Sequence, residues 1–405
     1  MKLLFVNSAY PQEIDNRLRK HSKVGLQSAA NVFQWAVIDG LERCGIDYTL
    51  ACTPGLPAWP RFDDLFTPEG PMSVNGKQRG HYLRYCSLPV LNQITKKTVL
   101  KRYIRNWCER NKKQERLVVL TYTQESEQLG PAVELKQIYP NLVVAPIVTD
   151  LIENALEFKA NRKLLKRIQV YLEEKKERGL FPKVDKFILL SNYMTECIPE
   201  AEGRYMVMEG VASWKSISKK ERASKSDEPR TLLYTGTFQE FGGLRMLVDA
   251  FRQTTGNNFR LVLCGNGVLR PYVEEAAVSD NRIIYKGLVS HDEVIRLQRE
   301  CTLLINPRRP NGGITKYSFP SKTMEYMASM TPMIGYHLEG IPEEYYQHMY
   351  TPNDLSQDSL TSCINTTLAL PLEMLHHKAE AAFDFVAKHK NSEAQVSRII
   401  DFLNS

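Results

Sequence analysis

The residues best suited to chemistry lie between Ile305 and Met327. They read Ile305-Asn306-Pro-Arg308-Arg309-Pro-Asn-Gly312-Gly313-Ile-Thr-Lys316, then Tyr317-Ser-Phe-Pro320-Ser321-Lys322-Thr323-Met-Glu325. A strand ends at Asn306, and a Pro/Gly loop carrying Arg308, Arg309 and Lys316 follows it. Pro320 suits the first turn of a helix. Met324, Met327 and Ala328 make that helix's apolar stripe, and Pro332 stops it. Free amides at Ser321–Thr323, with the Lys322 ammonium, favour an anion such as a diphosphate. A carboxylate one turn later, at Glu325, can accept hydrogen bonds from the vicinal hydroxyls of a ribose. The competing reading is an exposed helix start with a Lys322–Glu325 i,i+3 ion pair and a solvated basic loop.

Three further strand ends carry glycines. Leu232-Leu-Tyr-Thr-Gly236-Thr237 runs toward Gly242-Gly243 and a helix, and Leu261-Val-Leu-Cys-Gly265-Asn-Gly267 repeats the design. Glycine lets a backbone approach a ligand closely, and the following helix favours an anion. Arg282-Ile-Ile-Tyr-Lys-Gly287-Leu-Val289-Ser290-His291 ends a third strand, and backbone groups near Val289 suit the edge of a base. Ser290 or His291 would cap the next helix. Each of these reads equally well as an ordinary tight strand-to-helix turn.

These residues need a scaffold that brings strand ends together. The 405-residue chain is too long for one ordinary core, which predicts two domains. Short β-branched runs alternate with amphipathic stretches, so the class is α/β with parallel sheets. In the first half the runs are Leu3–Val6, Tyr48–Ala51, Leu117–Thr121, Leu142–Val148, Phe187–Leu190 and Tyr205–Met208. In the second half they are Thr231–Tyr234, Arg260–Cys264, Arg282–Tyr285, Leu303–Ile305 and Pro332–Tyr336. The polar stretch Lys215–Arg230 separates the two sets as a linker. The expected division is 1–213, 214–385, and a last helix at 386–405 that either stays on the second domain or crosses back to the first. Ligands of doubly wound sheets bind beyond the strand ends, so the expected site is the cleft between two such sheets.

Composition narrows the setting. The chain is 43% hydrophobic and 24% charged, as in a folded soluble protein. No apolar run is long enough to span a membrane, and Met1-Lys-Leu-Leu-Phe-Val-Asn reads as a first strand, not a signal peptide. The eight cysteines are scattered singly, which argues against a zinc site and fits a reducing compartment. A net charge of +7 favours anionic partners without choosing among nucleotides, lipids and nucleic acid.

The four strand ends, in this order, resemble the C-terminal domain of family 4 glycosyltransferases of the GT-B fold, in the form found in polysaccharide-building members. The resemblance is strong over residues 231–340 and fainter in the first half. It implies two Rossmann-like domains facing across a cleft, a nucleotide-diphosphate sugar as donor, and a glycan or lipid-linked acceptor. It implies retention of anomeric configuration, with no dedicated protein nucleophile and no metal or other cofactor. The family's Glu-x7-Glu pattern places its ribose-binding glutamate at Glu325 and its sugar-contacting glutamate at the position of Tyr317. The family's diphosphate-binding Arg and Lys fall on Thr237 and Gly242, leaving Arg308, Arg309, Lys316 and Lys322 as the cations to replace them. Gly25, within His21-Ser-Lys-Val-Gly25-Leu-Gln-Ser-Ala-Ala-Asn31-Val-Phe-Gln34, matches the acceptor-side glycine loop. Asp150, ending the strand Leu142–Val148, matches a residue that contacts the transferred sugar. Met208-Glu209-Gly210 resembles the strand end before the interdomain crossing.

Lys96–Arg116 contains nine basic and two acidic residues with Val99, Leu100, Tyr103, Ile104 and Trp107 at helical spacing. Phe158–Phe181 is similar. Such helices either lie on an anionic membrane or pack their stripes on the core. The resulting expectation is a cytoplasmic protein, with contact at the inner face of the cell membrane as one option. No nucleic-acid module is present. Two other classes remain: an inactive GT-B protein that binds a nucleotide-sugar or a partner enzyme, and a related two-domain epimerase or phosphorylase. The latter would need a carboxylate-rich cleft or a pyridoxal lysine, and neither is evident.

Overall fold

The computed structural model describes residues 1–26, 28–149, 151, 164–213, 217, 229–311 and 313–405. Asp150, most of the linker and the start of the second basic stretch lie outside these residues. The chain divides into Met1–Ser213 with Ser392–Ser405, and Trp214–Asn391.

The first unit holds strands β1 (Lys2–Asn7), β2 (Tyr48–Cys52), β3 (Gly70–Val74), β4 (Lys77–Tyr82), β5 (Leu117–Thr121), β6 (Leu142–Val148), β7 (Phe187–Leu189) and β8 (Tyr205–Val207). They form one sheet in the order β3-β4-β2-β1-β5-β6-β7-β8. All pairings are parallel except β3 with β4. Every residue of β5 is buried, as continuous apolar runs require when helices cover both faces. The β3–β4 hairpin lies between the runs Tyr48–Ala51 and Leu117–Thr121, where the sequence offers no apolar run of its own. It turns on Asn75-Gly76, both at positive φ (50° and 77°), the conformation a two-residue hairpin turn demands.

Helix Leu91–Asn111 answers the question raised by the first basic stretch. It buries Leu100, Ile104, Trp107 and Cys108, so its stripe packs on the core and on helix Ser126–Lys136. Lys97 and Lys101 both pair with Glu134 at 2.6 Å, which neutralises part of its charged face. The last helix, Ser392–Asn404, belongs to this unit and seats on helix Ser28–Arg43. A Cβ on Gly40 would lie 2.4 Å from Val396 Cγ2, so only glycine permits that approach. Gln395 Nε2 donates to the carbonyls of Met208 (2.6 Å) and Gly210 (2.7 Å). This gives the Met208-Glu209-Gly210 segment a structural anchor.

The second unit holds β9 (Arg230–Thr237), β10 (Phe259–Asn266), β11 (Ile283–Gly287), β12 (Leu303–Asn306) and β13 (Met333–Gly335). The sheet runs β11-β10-β9-β12-β13, all parallel. The chain starts in the middle of the sheet, builds outward to one edge, then returns to build the other. The reversal falls between β9 and β12, where a doubly wound sheet binds its ligand.

Candidate functional site at the strand tips of the second unit

The β9 and β10 strands stay paired to their ends, through Gly265 opposite Gly236 and Asn266 opposite Thr237. On the other side, β9 and β12 pair only at Leu303–Leu232 and Leu304–Leu233. The two strands therefore part before their tips. Helix Ser321–Met327 fills the opening. Tyr326 is fully buried there, its hydroxyl 3.2 Å from Thr235 Oγ1.

One turn earlier on the same face, Lys322 reaches the tip of β9. A Cβ on Gly236 would lie 2.9 Å from Lys322 Cε and 3.2 Å from its Nζ, so the glycine makes room for the lysine. The Nζ is 5.8 Å from the centre of the Tyr326 ring. Burial holds this ammonium below its usual pKa, and the charge of Glu325 works in the opposite sense. Glu325 is not spent on an ion pair with Lys322. Its Oε1 accepts from Gln298 Nε2 at 2.5 Å, and the same amide reaches Thr235 Oγ1 at 3.4 Å. The surface ion-pair alternative is thus corrected: the lysine turns inward to the sheet, and the glutamate is held from helix His291–Glu300.

The loops are knitted by backbone contacts that only glycine allows. A Cβ on Gly265, at φ +150°, would lie 1.8 Å from the Gly236 carbonyl oxygen. A Cβ on Gly243, at φ +76°, would lie 2.0 Å from the carbonyl oxygen of Pro307, which ties the β9 and β12 loops together. Arg308 exerts its charge on the Tyr234 phenol, whose pKa burial pushes up to about 12. Arg309 acts instead on Tyr336, beyond β13, and its buried Nε has no hydrogen-bond partner. The two arginines therefore serve different strand tips.

The other expected residues are placed as follows. Thr237 is exposed at the end of β9, and Gly267 packs over Phe238, where a Cβ would be 2.5 Å from its carbonyl oxygen. Val289 follows β11, the outer strand, so β10 separates it from Gly236. Ser290 caps helix His291–Glu300, accepting from Glu293 N at 3.2 Å. Pro320 stands at the cap of the next helix, one residue before the expected first turn. Ser321 is exposed, while Thr323 is 1% exposed with an unpartnered hydroxyl. The Lys316 Nζ sits 5.5 Å over the Tyr317 ring. The sequence did not point to Thr235, Gln298 or Tyr326. Tyr326 lies at i+4 from Lys322, a usable signal, but Gln298 comes from another helix and carries none.

In the first unit, Gly25 is exposed with open space around its missing side chain. Side chains of helix Ser28–Arg43 hold the adjacent β1 loop: Gln34 Oε1 accepts from Ser8 N at 2.7 Å, and Asn31 Oδ1 from Tyr10 N at 2.8 Å. A shallow depression lined by Arg252, Val278, Ser279, Asp280 and Asn281 lies near the amino-terminal ends of β10 and β11, away from these tips.

Residues 229–369 match the family model described as glycosyl transferases group 1. A 194-residue stretch, 45% of this chain, is 27% identical to an uncharacterized glycosyltransferase of Methanocaldococcus jannaschii and covers 51% of it. The chain thus spans about half the length of that curated relative. Solved structures match across the whole chain. Starch synthase IV of Arabidopsis thaliana, bound to ADP and acarbose, superposes with a TM-score of 0.65 at 9% identity, covering 100% of this chain and 99% of that one. Anabaena HepE, in complex with UDP and glucose, gives 0.61 at 12% identity and the same coverage. The lipopolysaccharide outer core galactosyltransferase WaaB gives 0.61 at 14%, again covering 100% and 99%. These likenesses define the class by fold: the chain is α/β with the GT-B architecture of Rossmann-like domains.

Proposed function

We propose that the chain is a nucleotide-sugar-dependent glycosyltransferase whose donor binds at the β9 and β12 tips. The carrying observation is Lys322, drawn along Gly236 at the point where the strand order reverses, with Glu325 one turn away. Departure of a nucleoside diphosphate develops negative charge on the β-phosphate. A preplaced, partly desolvated cation stabilises that charge at no cost in reorganisation. Lys322 takes this role, with Arg308 behind it near Tyr234, in place of the cations absent at Thr237 and Gly242. Glu325, oriented by Gln298, keeps lone pairs for the ribose hydroxyls. Exposed Val268 and Leu288, beyond β10 and β11, offer an apolar surface for the base.

The reaction class that fits these parts is retaining transfer. The acceptor hydroxyl attacks on the face the diphosphate leaves, and the leaving phosphate takes its proton. The protein then supplies positioning and charge stabilisation. No metal or other cofactor is assigned a step. A glycan or lipid-linked acceptor, a hexosyl donor and a role in polysaccharide or surface-glycan synthesis follow from the resemblance, and a cytoplasmic or peripheral-membrane setting from the scattered cysteines and the basic helices. Among the described residues no helix is long and apolar enough to cross a membrane.

The test is release of nucleoside diphosphate from a panel of UDP-, GDP- and ADP-sugars with mixed glycan acceptors, together with donor affinity. Turnover with at least one donor is the expected result. Binding without turnover would favour an inactive nucleotide-sugar-binding protein. Failure to bind any donor would refute the site.

A further inference from the structure

We propose that Glu339, from the segment after β13, is the carboxylate that reads hydroxyls of the donor sugar. This inference rests on the donor-site reading above. A sugar presents vicinal hydroxyl donors, which a carboxylate accepts better than any neutral side chain. At the tips of the second sheet, Glu240 faces Arg245 at 3.2 Å and Glu325 is engaged by Gln298. Glu343 faces His337 at 3.0 Å. Tyr317, in the loop before helix Ser321–Met327, brings a phenol and no carboxylate.

Glu339 is exposed, yet its backbone is fixed on both sides. On one side, Gly340 N donates to the Thr315 carbonyl at 3.0 Å. A Cβ on Gly340 would lie 2.2 Å from the Ser318 carbonyl oxygen and 2.5 Å from that of Thr315, so the segment presses directly on the short helix Gly313–Lys316 and the residues that follow it. On the other side, the Tyr346 hydroxyl accepts from Leu338 N at 2.8 Å and donates to Leu338 O at 2.9 Å. The His337 ring stacks on Tyr346 at 4.0 Å. The carboxylate itself touches that helix. Thr315 Oγ1 accepts from Asn311 N at 3.1 Å and faces Glu339 Oε2 at 3.4 Å. That contact uses one of about four lone-pair positions on a carboxylate, and two more suffice for a vicinal diol. The arrangement is a rigid backbone presenting a solvent-facing acceptor beside the Lys316–Tyr317 turn.

The experiment compares UDP, GDP and ADP with UDP-glucose, UDP-galactose, GDP-mannose and ADP-glucose by titration calorimetry on the full chain. Glu339→Gln keeps the shape of the side chain, and Glu339→Asp keeps its charge. The expected result is nucleoside diphosphate affinity within about twofold of wild type for both variants. Affinity for the preferred nucleotide-sugar falls about ten- to a hundredfold in Glu339→Gln, the range set by a hydrogen bond to a charged acceptor. It falls less in Glu339→Asp. Unchanged nucleotide-sugar affinity in Glu339→Gln would overturn the assignment, as would an equal loss for nucleotide and nucleotide-sugar. Wild type that binds none of the seven probes overturns the donor site itself, and this assignment with it.

Discussion

The two sheets share a strand order around their first strands, β4-β2-β1-β5-β6 in one and β11-β10-β9-β12-β13 in the other, but their tips are built differently. In the second unit, loop backbones lie against one another, and glycines at 243, 265 and 267 are what lets them do so, while Gly236 makes room for Lys322. In the first unit, side-chain amides from Asn31 and Gln34 hold the β1 loop, and Gly25 stands in open space. Backbone-on-backbone contacts fix a shape that few other residues tolerate. Amide contacts leave a loop free to change around them. A site for an invariant diphosphate suits the first construction, and one for a variable acceptor suits the second.

The sharpest way to break this contrast is a matched pair of substitutions. Gly265→Ala places a methyl 1.8 Å from the Gly236 carbonyl at φ +150° and should cost roughly 3–5 kcal/mol of stability, because backbone must move. Gly25→Ala meets nothing within 4 Å and should stay within about 0.5 kcal/mol. Denaturant midpoints of the full chain measure both. Similar values for the two would dissolve the distinction between the tips.

Lys322→Ala comes next. It removes the cation but no backbone contact, so the fold should persist. Turnover of the donor should fall about 10²–10³-fold, the usual loss for a preplaced charge-stabilising group. A variant with wild-type kcat/KM would show that the diphosphate charge is met elsewhere, and Arg308 would be the first residue to examine.

The third effect lies in the first unit and depends on pH. Glu177, on helix Leu164–Arg178, is 5% exposed. Burial first, then the charges of Glu125, Glu173, Glu127 and Glu174, push its carboxyl up to about 9 from 4.5. A raised pKa in the folded state means that the folded protein holds a proton the unfolded chain has lost. The associated stability is fully present below pH 4.5 and is lost as pH rises toward 9. The slope approaches about 1.4 kcal/mol per pH unit in between. Glu177→Gln removes that slope, so the variant should gain on wild type from pH 6 to pH 9. Parallel stability curves would show that Glu177 ionises normally.

What could be read from the sequence follows the same division. The apolar runs of both sheets were legible because strands covered on two faces leave little choice of residue. Lys322 and Glu325 were legible because they sit within one contiguous stretch, and the glycines because each follows an apolar strand run. Gln298 and Glu339 were not, since each reaches the site from a separate element and only the packing brings it there. The β3–β4 hairpin was missed although Asn75-Gly76 announces it. Its strands, Gly70–Val74 and Lys77–Tyr82, lie at the sheet edge and lack the apolar runs of the central strands. Asp150 lies outside the described residues.

That hairpin supplies the mildest test. Arg79 of β4 grips Glu42 with two bonds, Nε to Oε2 at 2.8 Å and Nη2 to Oε1 at 2.6 Å, and the Tyr48 hydroxyl adds a third at 2.7 Å. The Arg79 guanidinium, then the Tyr48 hydroxyl, hold the Glu42 carboxyl below its usual pKa, against the effect of its partial burial. A depressed pKa works in the opposite direction from Glu177: the stability is present above the unfolded value near 4.5 and is lost as pH falls through the folded one. Glu42→Gln should therefore cost about 1 kcal/mol at pH 7 and progressively less below pH 4.5. Because this grip holds a hairpin of the first unit, nucleotide affinity should be unchanged in the variant. A joint loss of stability and nucleotide affinity would mean that the two sheets do not divide the work as their tips suggest.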